Sequence, residues 1–214
     1  MSKGVIIFSV CTFTKGALDI FQKNNLIVYG ILEDDKTWHN REIYGVPILG
    51  ATDDHKFLEL LDEECASFIA YGNIAKRKSI LNFLHAHHKD NSISAVHPTA
   101  IVAEHIQLGQ GNYIGAQVCL APEVNIGNHC ILNNGVIIDY QTQIHNLVQI
   151  GAGSVIGDNV IIEEGVYIGI GATIISGVTI QKGASIGAGS VVLGNVKKDD
   201  ILLGNPAKSI KQSA

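Results

Sequence analysis

Basic runs, paired cysteines, aromatic rings and long apolar stretches are all scarce in this chain. Lys and Arg total 15 against 20 Asp and Glu, giving a net charge of −5, and no basic run occurs. Nucleic acid is therefore not an expected partner. The four cysteines, Cys11, Cys65, Cys119 and Cys130, form no C-x-x-C pair. They read as free thiols of a reducing compartment, which points to the cytoplasm. No stretch approaches the ~20 apolar residues of a membrane span. Lys3 followed by Gly4–Phe13 has the look of a short signal peptide, but Thr14, Lys15 and Gly16 offer no small-x-small cleavage site. A buried first strand explains the same run. Aromatics make up 6% of the chain while glycine reaches 23 residues, a balance that suits a β-solenoid with little room for rings.

What the chain does contain is a period. From Val102 to Val192 every sixth residue is Val, Leu or Ile. A second set of small or β-branched residues, from Val118 through Thr142 and Ser154 to Ser190, stands two places before the aliphatics. So many glycines and β-branched residues exclude helix, and a flat strand repeats at two. A fixed hexad marks a parallel β-helix. Three hexads close one triangular coil, so Leu120, Ile138, Ile156 and Ile174 are expected to stack inside it. Small residues such as Gly109, Gly115, Gly127 and Gly151 follow the aliphatics and are expected to serve corners that a Cβ opposes.

Residues 1 to 95 have another rhythm. Strands are expected at Val5–Phe8, Leu26–Leu32 and Ser67–Tyr71. Helices are expected at Lys15–Gln22, from Thr52 through Cys65, and at Ile74–His87. This alternation predicts a small parallel sheet of βαβ units, an α/β Rossmann-like domain. Ligands of such sheets sit at the carboxyl ends of the strands, here Phe8–Thr14, Glu33–Asp35 and Gly72-Asn73. His97-Pro98 marks the boundary, giving domains 1–95 and 96–194 with a tail, 195–214, whose end is read as mobile or a short helix. His85, His87 and His88 are read as a polar helix end, with metal binding as the alternative; no metal ligand set is assigned.

Several pieces narrow the reading: Gly30–Asp35, Gly45–Gly50, Ala70–Asn73, His97–Ala100, Asn133–Gly135 and Gly204–Lys208. With the hexads, they make the chain resemble the hexapeptide-repeat nucleotide-sugar acetyltransferases. Within that family it is similar to the bacillosamine and perosamine N-acetyltransferases and the sialic acid O-acetyltransferase-like group. The resemblance implies a left-handed β-helix, a homotrimer, and acetyl-CoA as co-substrate in a groove between neighbouring copies. It implies a nucleotide sugar on the amino-terminal domain, with Glu33, Asp34, Gly72 and Asn73 on its side. Ile170, Gly187, Ala188, Gly189, Asn205 and Pro206 match positions along the coenzyme groove.

The chain departs from the family twice. Where the family has a catalytic histidine followed by an acid, it reads Tyr140-Gln141, and Gln149 replaces a second histidine that helps hold the cofactor. The glycine-rich turn after the first strand is replaced by Phe8–Thr14, whose bulk is expected to restrict approach to the backbone. A tyrosine phenol, with an ordinary pKa of about 10 against about 6.5 for histidine, is a poor general base near neutrality. His145 is the nearest alternative, one face further on. His105 and His129 are read as outward-facing and weaker. The expected function is acetyl transfer from acetyl-CoA to an amine, or a hydroxyl, of a nucleotide-linked sugar. Two rivals are a catalytically silent binding or assembly protein and an O-acetyltransferase on a free sugar.

Overall fold

Five buried residues, Gly4–Phe8 (β1), begin a computed structural model that describes residues 4–61, 65–89 and 91–210. The chain divides into two compact units, residues 1–98 and 99–214.

In the first unit, β1 is central. It pairs in parallel with Val28–Leu32 (β2) on one side and with the strand Cys65–Ile69 on the other. Glu42–Ile43 (β3) and Val46–Gly50 (β4) form an antiparallel hairpin, and β4 pairs in parallel with β2. With Cys65–Ile69 as β5, the order is β3-β4-β2-β1-β5. The hairpin is not visible as a hydrophobic period, because β3 is two residues long and Pro47 interrupts β4. Its turn needs left-handed backbone at Tyr44 (φ 52°) and Gly45 (φ 78°), which Gly45 adopts without strain.

The helix Thr12–Lys23 (α1) buries Leu18 and Phe21 against the sheet and leaves Gln22 exposed. It starts before the expected Lys15, because Thr14 caps the loop: its hydroxyl accepts from the Cys11 N–H at 2.9 Å and donates to the Ser9 carbonyl at 2.7 Å. The helix expected from Thr52 through Cys65 shrinks to His55–Leu58 (α2). Asp54 caps it, accepting from the Lys56 N–H at 3.1 Å. The Thr52 hydroxyl is engaged elsewhere, and residues 62–64 of the expected helix lie outside the described residues. Ile74–Ala86 (α3) buries Leu81, Leu84 and the guanidinium-bearing Arg77, whose Nη1 donates to the Tyr71 carbonyl at 2.7 Å. Ile80 is only half-buried. Beyond α3, the His87 ring packs on Phe83, 4.4 Å between centroids.

The second unit is the parallel β-helix. Its two-residue strands pair with partners eighteen residues away, as in Leu120↔Ile138, Ile138↔Ile156 and Ile156↔Ile174. They build three faces. Face 1 runs through Ile101, Cys119, Ile137, Val155, Thr173 and Val191; face 2 through Gln107, Asn125, Gln143, Ile161 and Thr179; face 3 through Tyr113, Ile131, Gln149, Tyr167 and Ser185. The aliphatic ladder is shut off from solvent, with Leu120, Ile138, Ile156 and Ile174 at 1% exposure or less. The second small set is inside too, and its polar members are satisfied: Thr142 Oγ1 donates to the Gly157 carbonyl and Ser154 Oγ to the Gly169 carbonyl, each at 2.9 Å.

The glycines divide into two classes, and the corner explanation belongs to only one of them. Gly109, Gly115, Gly127 and Gly151 have no left-handed φ. A Cβ there would run into the next coil; at Gly151 it would strike the backbone of Gly169 and Ile170. The left-handed corner lies two residues later, as at Gly153 (φ 67°), and recurs every six residues from Gly111 to Gly189. Non-glycine residues also occupy it, among them Glu123, His129, Gln141 and Leu147. His129 is buried at 5% exposure, against its expected outward place, although Glu123 and Gln141 stay exposed with the same backbone; its ring lies over Gly111, where a side chain would collide with it. Within the described part of the tail, Ile201–Leu203 pairs with Ser185-Ile186 and Lys208-Ser209 returns antiparallel to it, strand where a mobile or helical end was expected; residues 211–214 lie outside the described residues.

Candidate active site

At the carboxyl ends of β1, β2 and β5 the first unit opens two adjoining clefts, of about 520 and 560 Å³, which share Val10, Cys11, Thr12 and Trp38. The second is lined by Glu33, Asp35, Tyr71, Gly72, Asn73 and Lys76, the first by Lys15 and the β3–β4 hairpin residues Glu42–Tyr44. Of the residues expected on the nucleotide side, Glu33, Gly72 and Asn73 thus reach the cleft. Asp34 does not line it; its Oδ1 accepts from both the N–H and the hydroxyl of Thr52, at 2.9 and 2.8 Å.

The glycine-free loop is held by its own side chains. Ser9 takes a left-handed φ of 102°, an unusual conformation for a residue with a Cβ. Glu33, buried beneath it, accepts from the Val10 N–H at 2.6 Å and the Asp35 N–H at 3.1 Å. The Cys11 thiol donates to the Ala70 carbonyl at 2.8 Å, tying the loop to the end of β5. A Cβ at Gly72 would press on the edge of the Phe13 ring, which would have to shift to admit it. Hydrogen bonds from Thr37, the backbone N–H foremost, hold the Asp35 carboxyl below its ordinary range. Burial, with the Glu33 charge second, pushes the Tyr71 phenol up.

On the β-helix the candidate residues fall at three different corners. Tyr140 follows face 1, at a corner here called A. It is 55% exposed, and neighbouring Gln141 donates from Nε2 to Glu123 Oε2, one coil earlier, at 2.7 Å. One coil later Asp158 accepts from the Ser176 hydroxyl and from Asn159 Nδ2, and these bonds, Ser176 first, lower its pKa. His145 follows face 2, at corner B, exposed beside a polar hollow with Gln143, Asn125 and Gln107. The expected coenzyme residues follow face 3 and share corner C: Ile170, Gly187–Gly189 and Asn205-Pro206 lie on successive coils. Gly189 donates to the Ile170 carbonyl at 2.8 Å, and Val191 to the Gly204 carbonyl at 3.0 Å. Ile170, 64% exposed, rises as an apolar wall beside the small Ala188. Gln149 sits on face 3 itself, between Ile131 and Tyr167, with its Oε1 buried. One chain therefore gathers the coenzyme set at corner C but separates it from both Tyr140 and His145.

The bacterial transferase hexapeptide model matches residues 159–194. Over 98% of its length the chain superposes on 97% of a histidine-to-alanine mutant of GDP-perosamine N-acetyltransferase from Caulobacter crescentus. That structure holds CoA and GDP-perosamine, is 27% identical and has a TM-score of 0.89. Residues 159–194 thus carry the hexapeptide repeat of bacterial transferases, and the whole chain is similar to a sugar N-acetyltransferase built on it. The same fold recurs in WeeI from Acinetobacter baumannii, 21% identical over 98% of this chain and 100% of that one with a TM-score of 0.87. It recurs again in the acetyltransferase domain of PglB from Neisseria gonorrhoeae bound to acetyl coenzyme A, 22% identical with the same coverage and a TM-score of 0.66. No curated protein matches the chain by sequence.

Lys15, Trp38, Tyr71 and Lys76 line the clefts and were not singled out by sequence reasoning. Their common signal is position: each stands within a few residues of the end of β1, β2 or β5, where the sheet delivers its ligand-facing loops.

Proposed function

We propose that this chain transfers the acetyl group of acetyl-CoA to an amine of a nucleotide-linked sugar. The carrying observation is the full-length match, at 27% identity, to an N-acetyltransferase crystallised with CoA and GDP-perosamine. The donor lies along corner C, where Gly187, Ala188 and Gly189 keep the wall low, Ile170 gives it an apolar side, and Asn205 and Pro206 close its end. Gln149 contributes from face 3. The nucleotide occupies the clefts at Glu33, Gly72 and Asn73, with Asp34 supporting through Thr52.

In the reaction the amine attacks the thioester carbonyl. A carbon–nitrogen bond forms, the carbon–sulfur bond breaks with its electron pair going to sulfur, and the proton given up by the nitrogen ends on the departing thiolate, so CoA leaves as the free thiol. Tyr140 stands at the acceptor corner and orients the amine; proximity supplies the main acceleration. His145 is the second candidate, and it projects from another corner.

Because the donor and acceptor corners of one chain are apart, the complete site is assembled from neighbouring copies in a closed homotrimer. Face 1, which runs between corners C and A, carries exposed Ile101, Ile137 and Val155, and Ile175 and Leu193 extend this apolar surface at corner A. Such a surface is suited to burial against other copies. No described helix is long and apolar enough to cross a membrane, and four free cysteines with an acetyl-CoA donor fit a cytoplasmic enzyme.

Incubation with acetyl-CoA and a panel of nucleotide amino-sugars, followed by mass spectrometry, tests the assignment: one sugar should gain one acetyl group on nitrogen. Replacement of the family histidine–acid pair by Tyr140 and Gln141 favours one other reading, a silent binding or assembly protein. CoA binding without any acetylated product would select it.

A further inference from the structure

We infer that the substrate's diphosphate is gripped by the ammonium groups of Lys15 and Lys76 and not by the backbone of the loop after β1. The inference rests on the nucleotide-sugar reading above and specifies how that site recognises its anion.

In βαβ phosphate sites the first loop and helix start usually present free amides to the ligand. Here the amides of Val10, Cys11 and Thr14 are taken. Val10 N–H donates to Glu33 Oε2 at 2.6 Å, Cys11 N–H to Thr14 Oγ1 at 2.9 Å, and Thr14 N–H to the Cys11 carbonyl at 3.1 Å. The loop is also anchored from below, by the Thr14 hydroxyl on Ser9 and the Cys11 thiol on Ala70. Turning Val10 or Cys11 toward a phosphate would break these bonds and leave the buried Glu33 carboxylate short of a donor, which costs more than a neutral bond lost in water.

The positive charge comes from side chains on either side of the same loop. Lys15 projects from the first turn of α1 into one cleft and Lys76 from the first turn of α3 into the other. Neither ammonium pairs with a carboxylate among the described residues, and Lys76 Nζ rests 5.4 Å from the centroid of the Tyr71 ring. An ammonium on a long stem offers three rotatable donors and tolerates variable reach. That suits a diphosphate lying over a loop too bulky to let it settle on the backbone. Trp38 lies on the wall shared by both clefts and is the only tryptophan in the chain, so its fluorescence reports this site alone.

The test is a titration of the whole protein with GDP and with UDP, read by Trp38 fluorescence and by calorimetry. Guanosine and uridine serve as phosphate-free controls. Lys15→Met and Lys76→Met should each weaken diphosphate binding by about tenfold or more, as loss of a charge-assisted bond implies. Lys→Arg variants should retain most of the affinity, and nucleoside binding should not change. CoA binding at the β-helix, measured alongside, establishes that each variant is folded. Met variants that bind GDP and UDP as tightly as the parent overturn the inference and leave the nucleotide reading standing. A parent that binds no nucleoside diphosphate overturns both.

Discussion

Corners A and C of the β-helix are built by the same repeat and have diverged in opposite directions. Corner C is a column of small residues, Gly151-Ala-Gly153 beneath Gly169-Ile-Gly171 and Gly187-Ala-Gly189, with neither charge nor bulk apart from Ile170. Corner A carries side chains at the equivalent places: Pro122-Glu123, then Asp139-Tyr140-Gln141, then Asp158-Asn159. They are tied to one another by bonds such as Gln141 to Glu123 and Ser176 to Asp158. A solenoid leaves this freedom because its stability resides in the inner ladder. The outer corner positions can be emptied to receive a coenzyme or filled to meet an acceptor.

Filling corner C should break the comparison most severely. Ala188→Trp places an indole beside Ile170 and is expected to abolish CoA binding and activity while the circular dichroism and thermal transition stay those of the parent; unchanged CoA binding by calorimetry would remove corner C from the site. Next in size is restoration at corner A. Tyr140→His with Gln141→Glu should raise kcat by ~10²-fold by supplying a general base. The structure adds a condition: the new carboxylate would face Glu123 where Gln141 now donates at 2.7 Å. Glu123→Gln should therefore be included, and the double variant without it should gain less. His145→Ala, at corner B, should leave the rate within about twofold if Tyr140 is the acting group, and a large loss would move the role to His145.

Stability separates the two glycine classes within corner C. Gly151→Ala drives a methyl into the backbone of the next coil and should cost about 1–3 kcal/mol. Gly153→Ala has open space around it and should cost only the left-handed strain, about 1–2 kcal/mol at most. Chemical denaturation of the two variants compares them. The smallest effect belongs to corner A. The Asp158 carboxyl is lowered by its Ser176 bond. A lowered acid stabilises the fold above its unfolded pKa, and that contribution disappears as pH falls through the folded value. Ser176→Ala should thus lower the thermal midpoint slightly at neutral pH, and the difference from the parent should close as the pH falls through the lowered Asp158 value.

Much of this was legible because the solenoid repeats. From Ile114 to Val192 every sixth residue is an inner aliphatic, and adding eighteen to a residue number names its neighbour on the next coil. The contact between Gln141 and Glu123 follows that arithmetic. The conformation of the corner was less legible. The eye falls on Gly109, Gly115 and Gly151, whereas left-handed backbone is taken two residues later by glycine and non-glycine alike; His129 is buried because the residue one coil earlier is Gly111, which leaves room for its ring. In the first unit β1, β2 and β5 announce themselves as apolar runs. The β3–β4 hairpin does not, and α2 starts later than Thr52 because its N-cap is Asp54. Lys15, Trp38 and Lys76 come from three separate connections. Only the parallel topology brings them to the same end of the sheet.

The central claim is that corner C of one chain and corner A of another form one site. Coexpression of Ala188→Trp with Tyr140→Arg tests it most directly, since each variant alone has one corner blocked in every copy. Random mixing in a closed trimer pairs two intact corners at roughly a quarter of the sites. The account predicts that two inactive parents yield a mixed enzyme with about a quarter of the normal rate of sugar acetylation. A mixture no more active than its parents would contradict it and confine donor and acceptor to a single chain.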